Sequence, residues 1–194
     1  MAVRKVVQIG HPALKANNKE IKSFGSKTFK KLLKDLRDTM RKNELIGIAA
    51  PQIAENYKVF VTHPRNTKSR NLGKEDIYRV YINPKIVNLS KEESIIYEGC
   101  GSVVNGNLFG PVQRPQKLTV EATNEKGERF QIMCDGILAR VIQHEYDHLS
   151  GIEFLEKVTD YKKMMTFEYY SKKIRNSRAQ ISASKITEVT YKKF

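Results

Sequence analysis

No stretch of this chain approaches the roughly 18 consecutive apolar residues that a bilayer crossing needs, so no membrane-spanning segment is expected. Cysteine is nearly absent. Cys100 and Cys134 are the whole supply, which allows one disulfide at most. The opening Met1 to Gly10 lacks a continuous apolar core of the secretory kind, so a cytoplasmic address is expected and two reduced thiols are the better reading. Acidic residues are outnumbered, 21 against 35 Lys and Arg, and the formal charge is +14. Such a balance attracts polyanions such as RNA at long range, and it equally describes a solvated basic surface. It carries no information about chemistry. Internal repeats are absent as well. With 194 residues, 40% of them hydrophobic, there is room for one domain with a sizeable core and an added tail, but not for two full domains.

What is present centres on Gln143-His144-Glu145-Tyr146-Asp147-His148. Residues four apart stack on one face of a helix, so His144 and His148 can direct their rings at one metal ion while Glu145 reaches a water beside it. This is the pattern of metal-assisted hydrolysis. Ile137, Val141, His144 and His148 trace one stripe, and Leu138, Ile142, Glu145 and Leu149 trace its neighbour, which predicts a largely buried helix. Asp135-Gly136 and Ser150-Gly151 supply its start and stop signals. The string also arises by chance, so a third ligand and an oxyanion donor are needed elsewhere in the chain.

Along the chain, residues 1 to 25 read as an extended arm ending in a loop. Ser26 caps an amphipathic helix through Phe29, Leu32, Leu33, Leu36 and Met40, ending near Asn43. Leu45 to Gln52 is a run of small residues lying between helix and strand; its glycine allows a close backbone approach, to a ligand or simply within a packed turn. Tyr57 to Val61 reads as a strand and His63 to Glu75 as a polar loop. Tyr78 to Ile82, Ile86 to Leu89 and Ser94 to Tyr97 read as three short strands. Cys100 stands between two glycines, either as a thiolate ligand suited to zinc or iron(II) or as a buried cysteine in a tight turn. Cys134 reads as a buried bystander. Lys117 to Thr123 and Arg129 to Met133 form a hairpin around residues 124–127. After the HEYDH helix, Ile152 to Val158 reads as an extended link. A second helix is expected from about Thr159, carrying Tyr161, Met164, Met165 and Tyr169, and a frayed or mobile tail from about Asn176.

Three motifs stand in order: LIGIAAPQ at 45–52, EGCGS at 98–102 and QHEYDHLSG at 143–151. Together with Arg114-Pro115 ahead of the hairpin, they resemble the signature of the peptide deformylases, which remove the formyl group from the N-terminal methionine of new proteins. The resemblance implies an α+β fold, with antiparallel sheets around a central helix carrying the HExxDH motif and two helices packed outside. It implies metal ligation by Cys100, His144 and His148, with water in the fourth place. Glu145 would be the general base, and Gln52 and the Gly101 N–H would stabilise the oxyanion. Backbone groups of Ile46, Gly47 and Gly99 would bind formyl-Met peptides as an added strand, and Ile137 and Val141 would line the methionine pocket. The metal implied is Fe(2+), with Ni(2+), Co(2+) or Zn(2+) as the other choices.

The likeness spans residues 1–158, taken as the catalytic domain, and leaves 159–194 as a basic C-terminal helix and tail. That segment is similar in character to C-terminal helices that dock some bacterial members on the ribosome; a solubilising tail is the other reading. Three residues depart from the usual family pattern: Leu45 and Gly101 stand where glycine and a bulky residue are common, and Val104 where proline is common. Asp147 reads as an orienting partner or as a structural salt bridge. The competing functions are a divergent relative acting on another acyl amide, a weakly active protein binding RNA or ribosomes through its basic surface, and a general zinc protease. Intact Cys100, His144, Glu145 and His148 speak against pure binding, and Cys100 with Gln52 speak against the protease.

Overall fold

A computed structural model describes residues 3–194. Among the described residues, nine strands form two antiparallel sheets and four α-helices accompany them, one of them central. The fold is the expected α+β arrangement. The larger sheet runs β1 (Gly47–Ala49), β2 (Val59–Thr62), β3 (Arg79–Leu89), β6 (Lys117–Thr123), β7 (Arg129–Asp135) and β9 (Val189–Lys193) in spatial order. The smaller sheet runs β4 (Glu93–Gly99), β5 (Leu108–Pro115) and β8 (Met165–Thr166).

Helix α1 (Lys27–Lys42) begins where the sequence places it: the Ser26 hydroxyl accepts from the Phe29 N–H at 3.1 Å. Arg41 and Lys42 occupy its last turn, where positive charge offsets the helix dipole. Phe29, Leu32, Leu36 and Met40 pack on Ile48, Val59, Val61, Val80 and Ile82, one face of the large sheet. Strand alternation sends Phe60 and Tyr81 to the other face. There they join Leu118, Val120, Phe130 and Ile132 in the main core against Ile137, Leu138, Val141 and Ile142 of helix α2 (Gly136–Leu149). A third cluster, Cys100, Val103, Val112, Phe154 and Val158, lies under the small sheet. Helix α2 is therefore enclosed, as its apolar stripes require. Among the described residues no helix is long and apolar enough to cross a membrane.

Several local expectations need correction. Arg79–Leu89 forms one strand rather than two, because Asn83 takes a left-handed φ of 49° and absorbs a bulge between Ile82 and Lys85. The Asn83 amide then holds the N-terminal arm, accepting from the Ile21 N–H at 2.9 Å and donating to the Ile21 carbonyl at 2.8 Å. Strand β5 is an addition to the sequence reading. The link at 152–158 contains a 3-10 turn, Phe154–Lys157.

The C-terminal stretch differs most. In place of one helix from Thr159 there is a 3-10 turn (Tyr161–Lys163), then β8, then α3 (Phe167–Lys173). In place of a frayed tail there are α4 (Arg178–Ser184) and β9, paired to β7 from Val189 opposite Cys134 to Lys193 opposite Phe130. A few widely spaced anchors hold it. Tyr170 is buried and stacks on Phe109 at 4.0 Å between ring centroids, Ile186 enters the main core, and Tyr191 stacks on Phe130 at 5.2 Å. Each aromatic pair contributes about 0.5–1.5 kcal/mol beyond area burial.

The last strand approaches through a tight passage at the start of α2. Gly136 has φ +59°, and a Cβ there would lie 2.2 Å from the Lys185 carbonyl oxygen, so only glycine fits. Asp135 marks the helix start as expected, but its side chain does not cap it. Its Oδ1 accepts from the backbone N–H groups of Thr187 at 2.8 Å and Glu188 at 3.0 Å, and Oδ2 accepts from the Thr187 hydroxyl.

Candidate active site

Strand β4 ends at Gly99 and delivers Cys100 to the inward face of α2, where His144 and His148 project one turn apart. One ligand atom from each of the three lies within 4.8 Å of the others, and Cys100 Sγ is 3.3 Å from His148 Nε2. Cys100 thus stands where a third ligand to the histidine pair could sit. His144 Nδ1 meets Glu98 Oε2 at 2.9 Å, which fixes the ring and leaves Nε2 for the shared corner. A soft thiolate with two imidazoles and a fixed ring orientation suits a zinc-like or iron(II) ion, so the donor set fits a divalent metal.

Behind this corner sits a buried ionic network. Arg114 grips Glu98 at both carboxylate oxygens, Nε to Oε1 at 2.8 Å and NH2 to Oε2 at 3.1 Å, and reaches Asp147 Oδ2 at 2.6 Å. Arg140 adds a contact to Glu98 Oε1 at 3.2 Å and also donates to the Val112 and Ser94 carbonyls. Burial works to raise the Glu98 carboxyl, but the Arg114 charge and the His144 hydrogen bond overcome it and hold the group well below its ordinary value. Asp147 proves to be a partner of Arg114, through which it bears on Glu98. Sequence reasoning assigned no role to Glu98 and Arg140, and noted Arg114 only for its position. Their ion pairs join residues 16 and 42 apart, which no local pattern encodes.

The open side of the corner is a cleft of about 230 Å³. Of the residues singled out in sequence, Ile46, Gly47, Gln52, Gly99, Cys100, Gly101, Ile137, Val141, His144 and Glu145 all line it. His148 sits behind the wall, 1% exposed. Glu145 is 3% exposed, its Oε2 has no hydrogen-bond partner among the described residues, and burial pushes its pKa up to about 7. Gly47 is required next to it. A Cβ on Gly47 would lie 2.5 Å from both Glu145 Oε1 and Val141 Cγ2.

Gln52 lies in the 3-10 turn Ala50–Ile53 that follows β1. Its Oε1 accepts from the Ala49 N–H at 2.8 Å, which turns Nε2 toward Cys100 Sγ at 3.4 Å and Ser102 Oγ at 3.3 Å. The Gly101 carbonyl accepts from Gln8 Nε2 at 2.9 Å, which ties this part of the loop to the N-terminal arm. Two of the unusual residues explain each other. Leu45 Cδ1 lies 3.1 Å from where a Gly101 Cβ would stand, so the leucine fills the room that a side chain at 101 would take. Val104 has φ +47°, a conformation that the proline ring cannot adopt.

Thiolate and imidazole ligands around an open position, beside a buried carboxylate, are the equipment of a metal-dependent hydrolase. Comparison with known proteins narrows the class. The profile of the polypeptide deformylase family matches residues 3–164. The chain is 41% identical over 160 residues to peptide deformylase 2 of Clostridium perfringens, covering 82% of this chain and 96% of that one. It is 43% identical over 157 residues to the peptide deformylase of Carboxydothermus hydrogenoformans, covering 81% and 94%. Its fold matches the class I type b peptide deformylase of Acinetobacter baumannii solved with Met-Ala-Ser, with a TM-score of 0.77, 30% identity and coverage of 81% of this chain and 100% of the other. The chain belongs to the polypeptide deformylase family.

Proposed function

We propose that the protein hydrolyses the N-formyl group from the formylmethionine that begins nascent polypeptides, releasing formate. The observation that carries this reading is Glu145, whose unpartnered, buried carboxylate oxygen belongs to a residue lining the same cleft as Cys100 and His144. An unpaired polar atom in such a place is costly unless it meets a ligand. Cys100, His144 and His148 would hold the metal, for which we favour Fe(2+) over Ni(2+), Co(2+) or Zn(2+) on the family resemblance. A divalent ion there supplies a Lewis acid and brings the pKa of a water to about 7.

Glu145 takes the proton of the attacking water and passes it to the departing amine. Gln52 Nε2 makes only long contacts, 3.3 and 3.4 Å, and can exchange them for the oxyanion, with the Gly101 N–H as second donor. Backbone groups of Ile46, Gly47 and Gly99 pair with the peptide as an added strand, while Ile137 and Val141 contact the methionine side chain. The Met-Ala-Ser bound to the Acinetobacter relative supports a methionyl peptide as the ligand.

In this reading residues 1–158 form the catalytic part, working in the cytoplasm. Residues 159–194 form a basic accessory segment with nine Lys and Arg against Asp160, Glu168 and Glu188. Charge alone supports ribosome contact by that segment. The test is formate release from formyl-Met-Ala-Ser by protein purified without oxygen and loaded with iron(II) or nickel. Wild-type turnover should fall by about 10²- to 10⁴-fold in Glu145→Ala, the usual contribution of a general base. A metal-loaded wild type that releases no formate would overturn the reading.

A further inference from the structure

Strand β4 runs along the cleft with one edge paired to β5. Proline fixes which residues face the other way. Pro111 stands opposite Tyr97 and Pro115 opposite Glu93, and a proline has no N–H to give, so these are the non-hydrogen-bonded pairs of the ladder. By alternation Ile95, Tyr97 and Gly99 turn their N–H and C=O groups to the outer edge.

At Tyr97 that edge is already taken. Gln180 of α4 accepts from the Tyr97 N–H on Oε1 at 3.0 Å and donates from Nε2 to the Tyr97 carbonyl at 3.2 Å. One side-chain amide thereby supplies both hydrogen bonds that a neighbouring strand residue would make. Gln180 is 8% exposed. It is held by α4, which packs on β4 and α2, and by the chain beyond it, where Ile186 enters the main core. Gly99, two residues nearer Cys100, carries no such cap among the described residues and lines the cleft.

We infer that Gln180 ends the peptide track on β4, so that an incoming chain pairs at Gly99 but no further. The inference rests on the reading that a formyl peptide adds to this edge with its formyl end at the metal corner. Such a peptide runs antiparallel to β4, from Gly99 toward Tyr97, and the residue two beyond the one paired with Gly99 would need the Tyr97 groups. Gln180 holds them. Recognition is confined to the first few residues, and the rest of the nascent chain leaves the sheet without sequence demand. Gln180 lies beyond residue 164, outside the stretch that the family profile matches, so the stop belongs to the segment added at this end of the chain.

The experiment compares formyl peptides of three and six residues sharing their first three, with wild type, Gln180→Ala and Gln180→Leu. The leucine variant keeps the buried site filled if alanine loosens α4. In wild type the six-to-three ratio of kcat/KM should stay within about 2-fold, and in the variants it should rise about 3- to 10-fold, the effect of one or two regained hydrogen bonds. An unchanged ratio in both variants overturns the inference. Amide exchange gives a second readout. The Tyr97 N–H should be protected in wild type with or without peptide, and in Gln180→Leu it should exchange faster until an unformylated six-residue product peptide is bound. Full protection of Tyr97 in peptide-free Gln180→Leu also overturns it. Absence of turnover by metal-loaded wild type would count against the deformylase reading alone, and the exchange measurement would still decide the edge.

Discussion

Near the C-terminal end of α2 the Glu98 carboxylate meets two guanidinium groups and a histidine ring, whereas at the N-terminal end the hydrogen bonds that Asp135 accepts among the described residues come from neutral donors. Both carboxylates are buried and both lock the same helix, yet the loads differ. Glu98 must keep His144 oriented in a corner built for a cation, and Arg114 and Arg140 keep its charge fixed. Asp135 has only to pin a returning chain, for which two backbone N–H groups and a hydroxyl suffice. Charged partners stand where a ligand will pull on the geometry, and neutral ones where nothing will.

Glu98→Gln should show the largest effect. It keeps the shape but leaves Arg114 and Arg140 facing a neutral amide, so metal affinity should fall about 10- to 100-fold. Stability should drop by up to about 3–5 kcal/mol, the cost of breaking a buried ion pair. Metal titration with thermal unfolding reads both, and a variant that binds metal as wild type does would erase the contrast. Asp135→Ala comes next, at about 1.5–3 kcal/mol, as expected for hydrogen bonds to a charged group, with the metal affinity held.

Burial opposes ionisation of Asp135, but its bonds from Thr187 and Glu188 prevail and hold its pKa below the ordinary 3.8. Its stabilisation is therefore present above that value and is lost as pH falls through the folded pKa. Unfolding profiles of wild type and variant should converge in that acid window. The smallest effect, about 2- to 5-fold in kcat/KM for formyl-Met-Ala-Ser, is expected of Leu45→Gly, which frees the backbone beside Gly101. A loss as large as that of Glu98→Gln would mean that apolar packing positions the site as firmly as charge does.

The candidate site was legible because its chemistry is local. Two histidines four apart, a cysteine between glycines and a glutamine closing a small-residue run each mark a short stretch. Helix α1 was legible through Ser26 and its apolar spacing. Strand β5 was hidden because it carries Gly110, Pro111 and Pro115, residues that strands seldom hold, although those prolines sit where the ladder needs no N–H. The C-terminal elements were hidden because Tyr170, Ile186 and Tyr191 are too far apart for any period, and each finds its partner across the fold. The Glu98 network was hidden for the same reason.

The two cysteines divide their labour in a way that makes the protein its own gauge. Cys134 is sealed in the main core, and burial drives its thiol far from ionising at neutral pH. Cys100 lines the cleft. Cys100 is also little exposed, at 3%, so a thiol reagent must be small enough to enter the cleft, where it finds one thiol that a metal ion in the corner would shield. Counting labelled chains by mass would then count metal-free corners, sample by sample, with no probe introduced into the sequence.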